Sequence, residues 1–164
     1  MNARPDDGHD FRAQRLYVDH DIGAGSVLLL TREQSNYLLN VLRLGPGDGL
    51  RVFNGRDGEW QADVVPRGRR DAHLEVRRQL REQSGGPDIE YLFAPLKRAR
   101  LDYMVQKATE LGVARLRPVM TQFTNAERVN LERMRANVIE AAEQCGILRI
   151  PEVAAPEKLG RVIE

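Results

Sequence analysis

Apolar and polar positions follow one rhythm up to about residue 82 and another after residue 88. In the first stretch, short runs of Val, Leu and aromatic residues recur between breakers, as in strands joined by tight turns. The expected strands are 15–18, 26–30, 50–53, 59–65 and 72–76, with turns at 23–25, 45–49, 54–58 and 67–71. Asn54-Gly-Arg-Asp-Gly58 is a hairpin signal. One helix interrupts the series: Thr31-x-x-Gln34 has the capping-box pattern, and Tyr37, Leu38, Val41 and Leu42 follow at helical spacing. Short strands at regular intervals around one helix predict a small β-barrel.

Residues 83–88 hold Gln83-Ser-Gly-Gly-Pro87, a small, polar, breaker-rich stretch of linker type. Beyond it the pattern becomes strand, helix, strand. Residues 89–94 form an apolar run, and Leu101, Met104, Val105, Ala108 and Leu111 repeat at three and four residues. Gly112 offers a left-handed stop, and strand character returns over 113–120. Such a crossover is almost always right-handed and parallel. Thr124-x-x-Glu127 predicts the start of a long helix over 126–145, ended by Gly146. A strand at 150–153 and a helix opened by Pro156, with Leu159 and Val162, complete the reading. The expected organisation is a disordered tail at 1–11, a barrel domain at 12–82, a linker at 83–88 and an α/β domain at 89–164. A sheet of about three strands is small for an α/β domain. The second domain is therefore expected to be incomplete.

Composition adds that 30% of residues are charged while the net charge is only +1, so any basic surface must arise by local arrangement. Lysine occurs only at 97, 107 and 158, and the other cations are arginines, which suit phosphate and base-edge recognition. A bias toward Arg codons explains the same excess. The lone Cys145 excludes an internal disulfide, fits a reducing compartment and reads as a buried structural thiol. No stretch reads as a secretion signal or a membrane span, so the expected location is the cytoplasm.

His9, His20 and His73 have no paired spacing, so no metal site is expected. Gly-rich phosphate loops, dinucleotide fingerprints and nucleophile elbows are missing. Basic clusters remain. Lys97, Arg98 and Arg100 fall at the carboxyl end of the first strand of the α/β domain, where open sheets bind ligands, with Lys107 and Arg149 nearby. They suit phosphate or an RNA backbone, and equally a solvated helix face. Asp102, Gln106 and Glu110 share the polar face of that helix and fit simple pairing with basic neighbours. In the barrel, Arg15, Arg43 and Arg56 with Tyr17, Tyr37, Phe53 and Trp60 suit an RNA surface of cations and rings, unless the rings fill the core, the preferred reading for Phe53.

These residues also carry a family resemblance. Arg15-Leu-Tyr-Val18, Tyr37-Leu-Leu-Asn-Val-Leu-Arg-Leu-Gly-Pro-Gly-Asp48 and Phe53-Asn-Gly55 resemble the PUA-like domain of the RsmE family, 16S rRNA (uracil-N3)-methyltransferases of the SPOUT class. Ala94-Pro-Leu-Lys97, Asp102-Tyr-Met-Val-Gln-Lys-Ala-Thr-Glu-Leu-Gly112, Glu140-Ala-Ala-Glu-Gln-Cys-Gly146 and Ile150-Pro-Glu-Val153 are similar to the start of its methyltransferase domain. The resemblance implies an α+β, two-domain protein: a PUA-like β-barrel, then a SPOUT-type parallel-sheet domain incomplete here, its C-terminal knot falling beyond Glu164. It implies S-adenosylmethionine as cofactor, bound by residues beyond Glu164, so that this chain alone is expected to be inactive. Further implications are a 16S rRNA or small-subunit substrate and a homodimer. Arg15, Arg43, Lys97, Arg98, Arg100 and Arg149 are the expected RNA contacts, and Lys107 and Glu143 are candidates for the catalytic site. The alternative is a non-catalytic rRNA-binding or ribosome-assembly module. Ile147 stands where many members have Arg, and Thr121-Gln-Phe-Thr124 where they often have Glu-Arg-Ser.

Overall fold

The structure, a computed structural model, describes residues 13–124 and 129–163. The expected tail at 1–11 lies outside the described residues. The chain divides into two compact units, Met1–Ser84 and Gly85–Glu164. None of the described helices is long and apolar enough to cross a membrane.

The first unit is a five-stranded sheet built from β1 (Arg15–Tyr17), β2 (Val27–Leu29), β3 (Gly49–Phe53), β4 (Glu59–Pro66) and β5 (Ala72–Arg81), in the order β1-β3-β4-β5-β2. Only β1 and β3 run parallel. Alternation sends Leu16, Val18, Leu28, Leu50, Val52, Ala62, Val64, Leu74 and Val76 into one core. The strand β5 runs past its expected end at Val76. Its apolar alternation stops there, but pairing with β4 continues through two register shifts until Arg81 lies opposite Glu59. An ion pair, not apolar burial, carries that extension.

Helix α1 (Arg32–Asn36) starts at the expected capping box, with Gln34 N–H donating to Thr31 Oγ1 and Thr31 N–H to Gln34 Oε1. It then widens into a π-helical segment, Tyr37–Val41, in which Leu42 N–H donates to Tyr37 O. That extra residue per turn breaks the expected inward stripe. Leu38 is buried against the barrel core, whereas Tyr37 and Val41 face solvent.

In the second unit, β6 (Glu90–Phe93), α2 (Arg98–Glu110) and β7 (Arg115–Met120) form the expected parallel crossover. Helix α3 (Leu131–Cys145) leads to β8 (Glu152–Val153), also parallel to β7. With strand order β6-β7-β8, helices α2 and α3 pack into one core with the sheet. Phe93, Leu116 and Val153 meet Val105, Ala108, Met134 and Val138 there. Gly112 and Gly146 end the helices with positive φ, 81° and 77°.

Two expectations change. Asn125–Arg128 lie outside the described residues, so the Thr124-x-x-Glu127 box does too; the described cap of α3 is Asn130, whose side chain accepts from Arg133 N–H. After Pro156 the chain does not enter a helix directly. Glu157–Lys158 form β9, parallel to β7 at Val119–Met120, and only Leu159–Val162 turn helical, as α4. The free upper edge of β7 captures the segment first.

Candidate nucleic-acid interface

The carboxyl ends of β6 and β7 hold a cleft of about 260 Å³ lined by Ala94, Pro95, Leu96, Lys97, Arg100, Phe123 and Thr124. Lys97 is the residue at which α2 begins, and its side chain makes no capping bond. The first turn of α2 has no acidic residue, although a helix N-terminus already carries partial positive charge. Lys97, Arg98 and Arg100 are all exposed, and none forms an ion pair with a described residue. Three cations stacked on the positive end of a helix repel one another and the helix, so the arrangement is relieved by an anion.

The opposite wall is the turn after β7. Thr121 N–H donates to Thr124 Oγ1 at 2.8 Å and Thr124 N–H to Thr121 O at 3.2 Å. This closed turn leaves Phe123 with 83% of its surface in solvent. An aromatic ring facing a cationic helix end can stack an unpaired base while its phosphates meet the cations. Phe123 did not stand out in the sequence. Its only signal is an aromatic residue in a polar turn without a periodic apolar partner.

The other expected site residues are dispersed. Arg149 is not at this mouth. It precedes β8, and its Nη1 donates to Pro87 O at 3.1 Å, at the amino end of the sheet. In a parallel sheet the two ends are separated by the full strand length, so Arg149 ties down the chain entering β6 instead. Lys107 Nζ lies 2.7 Å from Glu110 Oε2, which raises its pKa and holds it as a cation. It therefore does not suit the role of a proton-abstracting base. Glu143 lies near the end of α3 and is partly exposed, as is Cys145, which is not the buried thiol expected.

Between α2 and α3 a second cleft, about 270 Å³, includes Asp102, Tyr103, Gln106, Arg133, Asn137, Glu140 and Gln144. Its polar groups satisfy one another. Arg133 donates to both oxygens of Asp102, and Asn137 donates to Oδ1. The Arg133 bonds hold the Asp102 carboxyl below its usual range. Gln106 and Lys107 both bond Glu110. The simple pairing expected for this helix face is present, although the partner of Asp102 comes from the neighbouring helix.

In the first unit the expected RNA surface dissolves. The Arg15 side chain is only 7% exposed and its Nε lies 2.6 Å from Glu59 Oε1. It also covers the fully buried Phe53 ring, with Cζ 4.2 Å from the centroid. Arg81 donates twice to Glu59, and Arg51 lies 3.5 Å from it. Arg15 is thus part of a buried charge cluster. Arg56 pairs with Asp21 at 2.8 Å. Trp60 is half-buried with its Nε1–H on Asp57 O, and Tyr17 packs edge-on to Phe53, where burial raises its pKa. Arg43 and Tyr37 remain exposed.

Comparison with known proteins shows which sequences and folds the chain is similar to. A family described as an RNA methyltransferase domain matches residues 84–164, and one described as an RNA methyltransferase PUA domain matches residues 30–77. The chain is 32% identical over 138 residues to the ribosomal RNA small subunit methyltransferase E of Rickettsia conorii, covering 84% of this chain and 57% of that protein. It is 33% identical to the protein of the same description from Synechocystis, with 93% and 50% covered. Among solved structures, the ribosomal RNA small subunit methyltransferase E of Neisseria gonorrhoeae, bound to S-adenosyl methionine, superposes with a TM-score of 0.76 at 26% identity, over 88% of this chain and 61% of that one. The chain thus spans only 50% to 57% of these two curated relatives.

Proposed function

We propose a function from the premise that the chain belongs to the RsmE family of RNA methyltransferases: it grips and orients RNA in an enzyme that methylates N3 of a uridine in 16S rRNA. The methyl donor is S-adenosylmethionine, the methyl group passes from its sulfonium sulfur to N3, and the N3 proton is lost to a base. The natural target is the small ribosomal subunit or its RNA in the cytoplasm, and the complete enzyme is a homodimer. The relatives' names, a SAM-bound neighbour and a PUA domain support this reading.

The observation that carries the RNA part is the pair Lys97 and Arg100, which line the cleft with Phe123 and form no ion pair with a described residue, with exposed Arg98 beside them on α2. Uracil N3 is hidden when the base is paired, so the target must be unpaired and splayed out. Phe123 and Leu96 offer it an apolar wall, and the cations hold its flanking phosphates. The same cleft does not suit S-adenosylmethionine. The cofactor's sulfonium is itself a cation and would face Lys97 and Arg100 with no described carboxylate lining that cleft. No described residue is therefore assigned to the cofactor. Arg43 adds an exposed phosphate contact from the barrel unit, while Lys107 has a positioning role, fixing Glu110 on α2.

The test is methyl transfer by the full-length enzyme that contains this chain, from labelled S-adenosylmethionine to 16S rRNA or small subunits lacking the mark, with the product nucleoside identified by mass spectrometry. Lys97→Ala with Arg100→Ala should raise KM for RNA and weaken its binding without changing the melting temperature. Methylation of another base, or of no RNA, would contradict the proposed activity. An unchanged KM and affinity would remove the cleft from it.

A further inference from the structure

We infer that the barrel unit grips the phosphate backbone of an RNA stem through the end of its sheet that carries Arg32, Arg43, Arg67, Arg69 and Arg70. This rests on the RNA reading above but on a different surface.

The topology brings these residues together. The tip Arg67–Arg70 joins β4 to β5, and Arg67 N–H donates to Asp71 O at 2.7 Å, closing the turn. Leu29 pairs with His73, so β2 ends beside the start of β5 and hands the chain to α1, whose first residue is Arg32. Ser35 is fully buried, and its hydroxyl accepts from Ala72 N–H at 3.3 Å, locking α1 to the base of the tip. The turn before β3 meets the same end: Gly47 N–H donates to Val64 O and Val64 N–H to Asp48 O. Arg43 precedes that turn in a left-handed conformation, φ 58°, and is exposed.

Charge separates the two ends of this sheet. At the other end Arg15, Arg51 and Arg81 converge on Glu59, and Arg56 meets Asp21. At the tip end the arginines are exposed and none forms an ion pair with a described residue. The acidic groups nearby are Glu33, Asp48 and Asp71. Asp48 accepts from Gly45 N–H, and the Glu33 carboxyl is held low first by backbone and Thr31 hydrogen bonds, with a lesser contribution from the Arg32 charge. Arg32 also sits in the first turn of α1, the position where the helix dipole disfavours a cation. A near-neutral chain thus keeps, on one rim, a cluster of exposed arginines that form no ion pair with a described residue.

The partner's form follows from what accompanies the cations. Single-stranded RNA is gripped by several stacking rings, and among the described residues the exposed ring on the π-helical segment is Tyr37, 42% exposed. Guanidinium groups on a rigid hairpin suit the regularly spaced phosphates of a stem, which side chains read by shape and backbone.

The test uses the whole chain, a mixed-sequence RNA hairpin and a single strand of equal length, with affinity measured across salt concentrations. Arg67→Ala/Arg69→Ala/Arg70→Ala should weaken stem binding at least roughly tenfold near 0.1 M salt, and should reduce the salt slope by about 2 to 3, since each duplex phosphate contact contributes about 0.9. Replacing the same residues by Lys should restore most of the affinity, because a backbone contact needs charge more than a fork. Thermal melting should be unchanged in both variants, as no ion pair is removed. Unchanged affinity and slope in the alanine variant overturn the inference, as does preference for the single strand over the stem. If Lys97→Ala/Arg100→Ala weakens binding while the tip variant does not, the cleft reading stands and this one fails. A chain that binds neither RNA overturns both.

Discussion

Glu59→Gln should destabilise the barrel unit more than any surface charge change. The Glu59 side chain is 0% exposed and receives Arg15 Nε at 2.6 Å, Arg81 Nε at 2.9 Å and Arg51 Nη1 at 3.5 Å. Burial by itself pushes the Glu59 carboxyl up, but hydrogen bonds and charge from Arg81 and Arg15 outweigh it and leave the pKa lowered. Gln keeps the shape and loses the charge, leaving guanidinium groups packed together without a counter-ion. Removing one partner of a buried pair costs about 3–5 kcal/mol. A domain of this size loses about 4–8 °C per kcal/mol, so the expected fall in Tm is about 12 °C or more. The chain's single tryptophan, Trp60, lies in β4 beside Glu59, so its fluorescence in urea reports this unit alone. Arg15→Met should cost less, because Arg51 and Arg81 still neutralise Glu59. Linkage adds a signature. As pH falls, the unfolded state takes up the proton first, near pH 4.3, and the stability due to Glu59 is then lost through its lower folded pKa. The wild type should therefore lose its advantage over Glu59→Gln progressively below about pH 4.5. A shift in the urea midpoint worth less than about 1 kcal/mol, or a pH-independent difference, would refute the account of the cluster.

Gly58→Ala should be strongly destabilising, because Gly58 has φ 84° and a methyl there would run into the Arg81 carbonyl oxygen; a loss of at least about 2 kcal/mol in the same Trp60 melt checks it. Ser35→Ala should cost about 1 kcal/mol, since it leaves the buried Ala72 N–H without its acceptor; faster hydrogen exchange at Ala72 would confirm the source. Asp102→Asn should loosen α2 from α3 by a smaller, salt-sensitive amount, and because the Asp102 pKa is lowered, wild-type stability from this contact should persist above the ordinary carboxylate range and fade as pH drops through it; amide exchange in α2 reads it.

What the sequence revealed and what it concealed follow from the range of the forces involved. The parallel β6-α2-β7 crossover, the hairpin at Asn54–Gly58 and the helix stops at Gly112 and Gly146 rest on local periodicity and backbone freedom, and all were legible. The π-helical segment, the β9 strand and the long β5 were not, since each depends on a partner distant in sequence: Leu38 on the barrel core, Glu157 on Val119, and Arg81 on Glu59. Charge shows the limit most clearly. In sequence, Arg15 and Arg67 are both arginines beside strand-forming residues. The fold places Arg15 next to a buried glutamate 44 residues away and leaves Arg67 on a turn with no such partner. Electrostatic function lies in the charges that the fold leaves unneutralised, and that remainder is set by long-range pairing. Lys97, Arg98 and Arg100 were recognisable because their isolation is local: they begin a helix whose first turn contains no acid. The rim formed by Arg32, Arg43 and Arg67–Arg70 was not, because its residues come from separate turns and are gathered only when β2 aligns with β5 and the chain before β3 meets Val64.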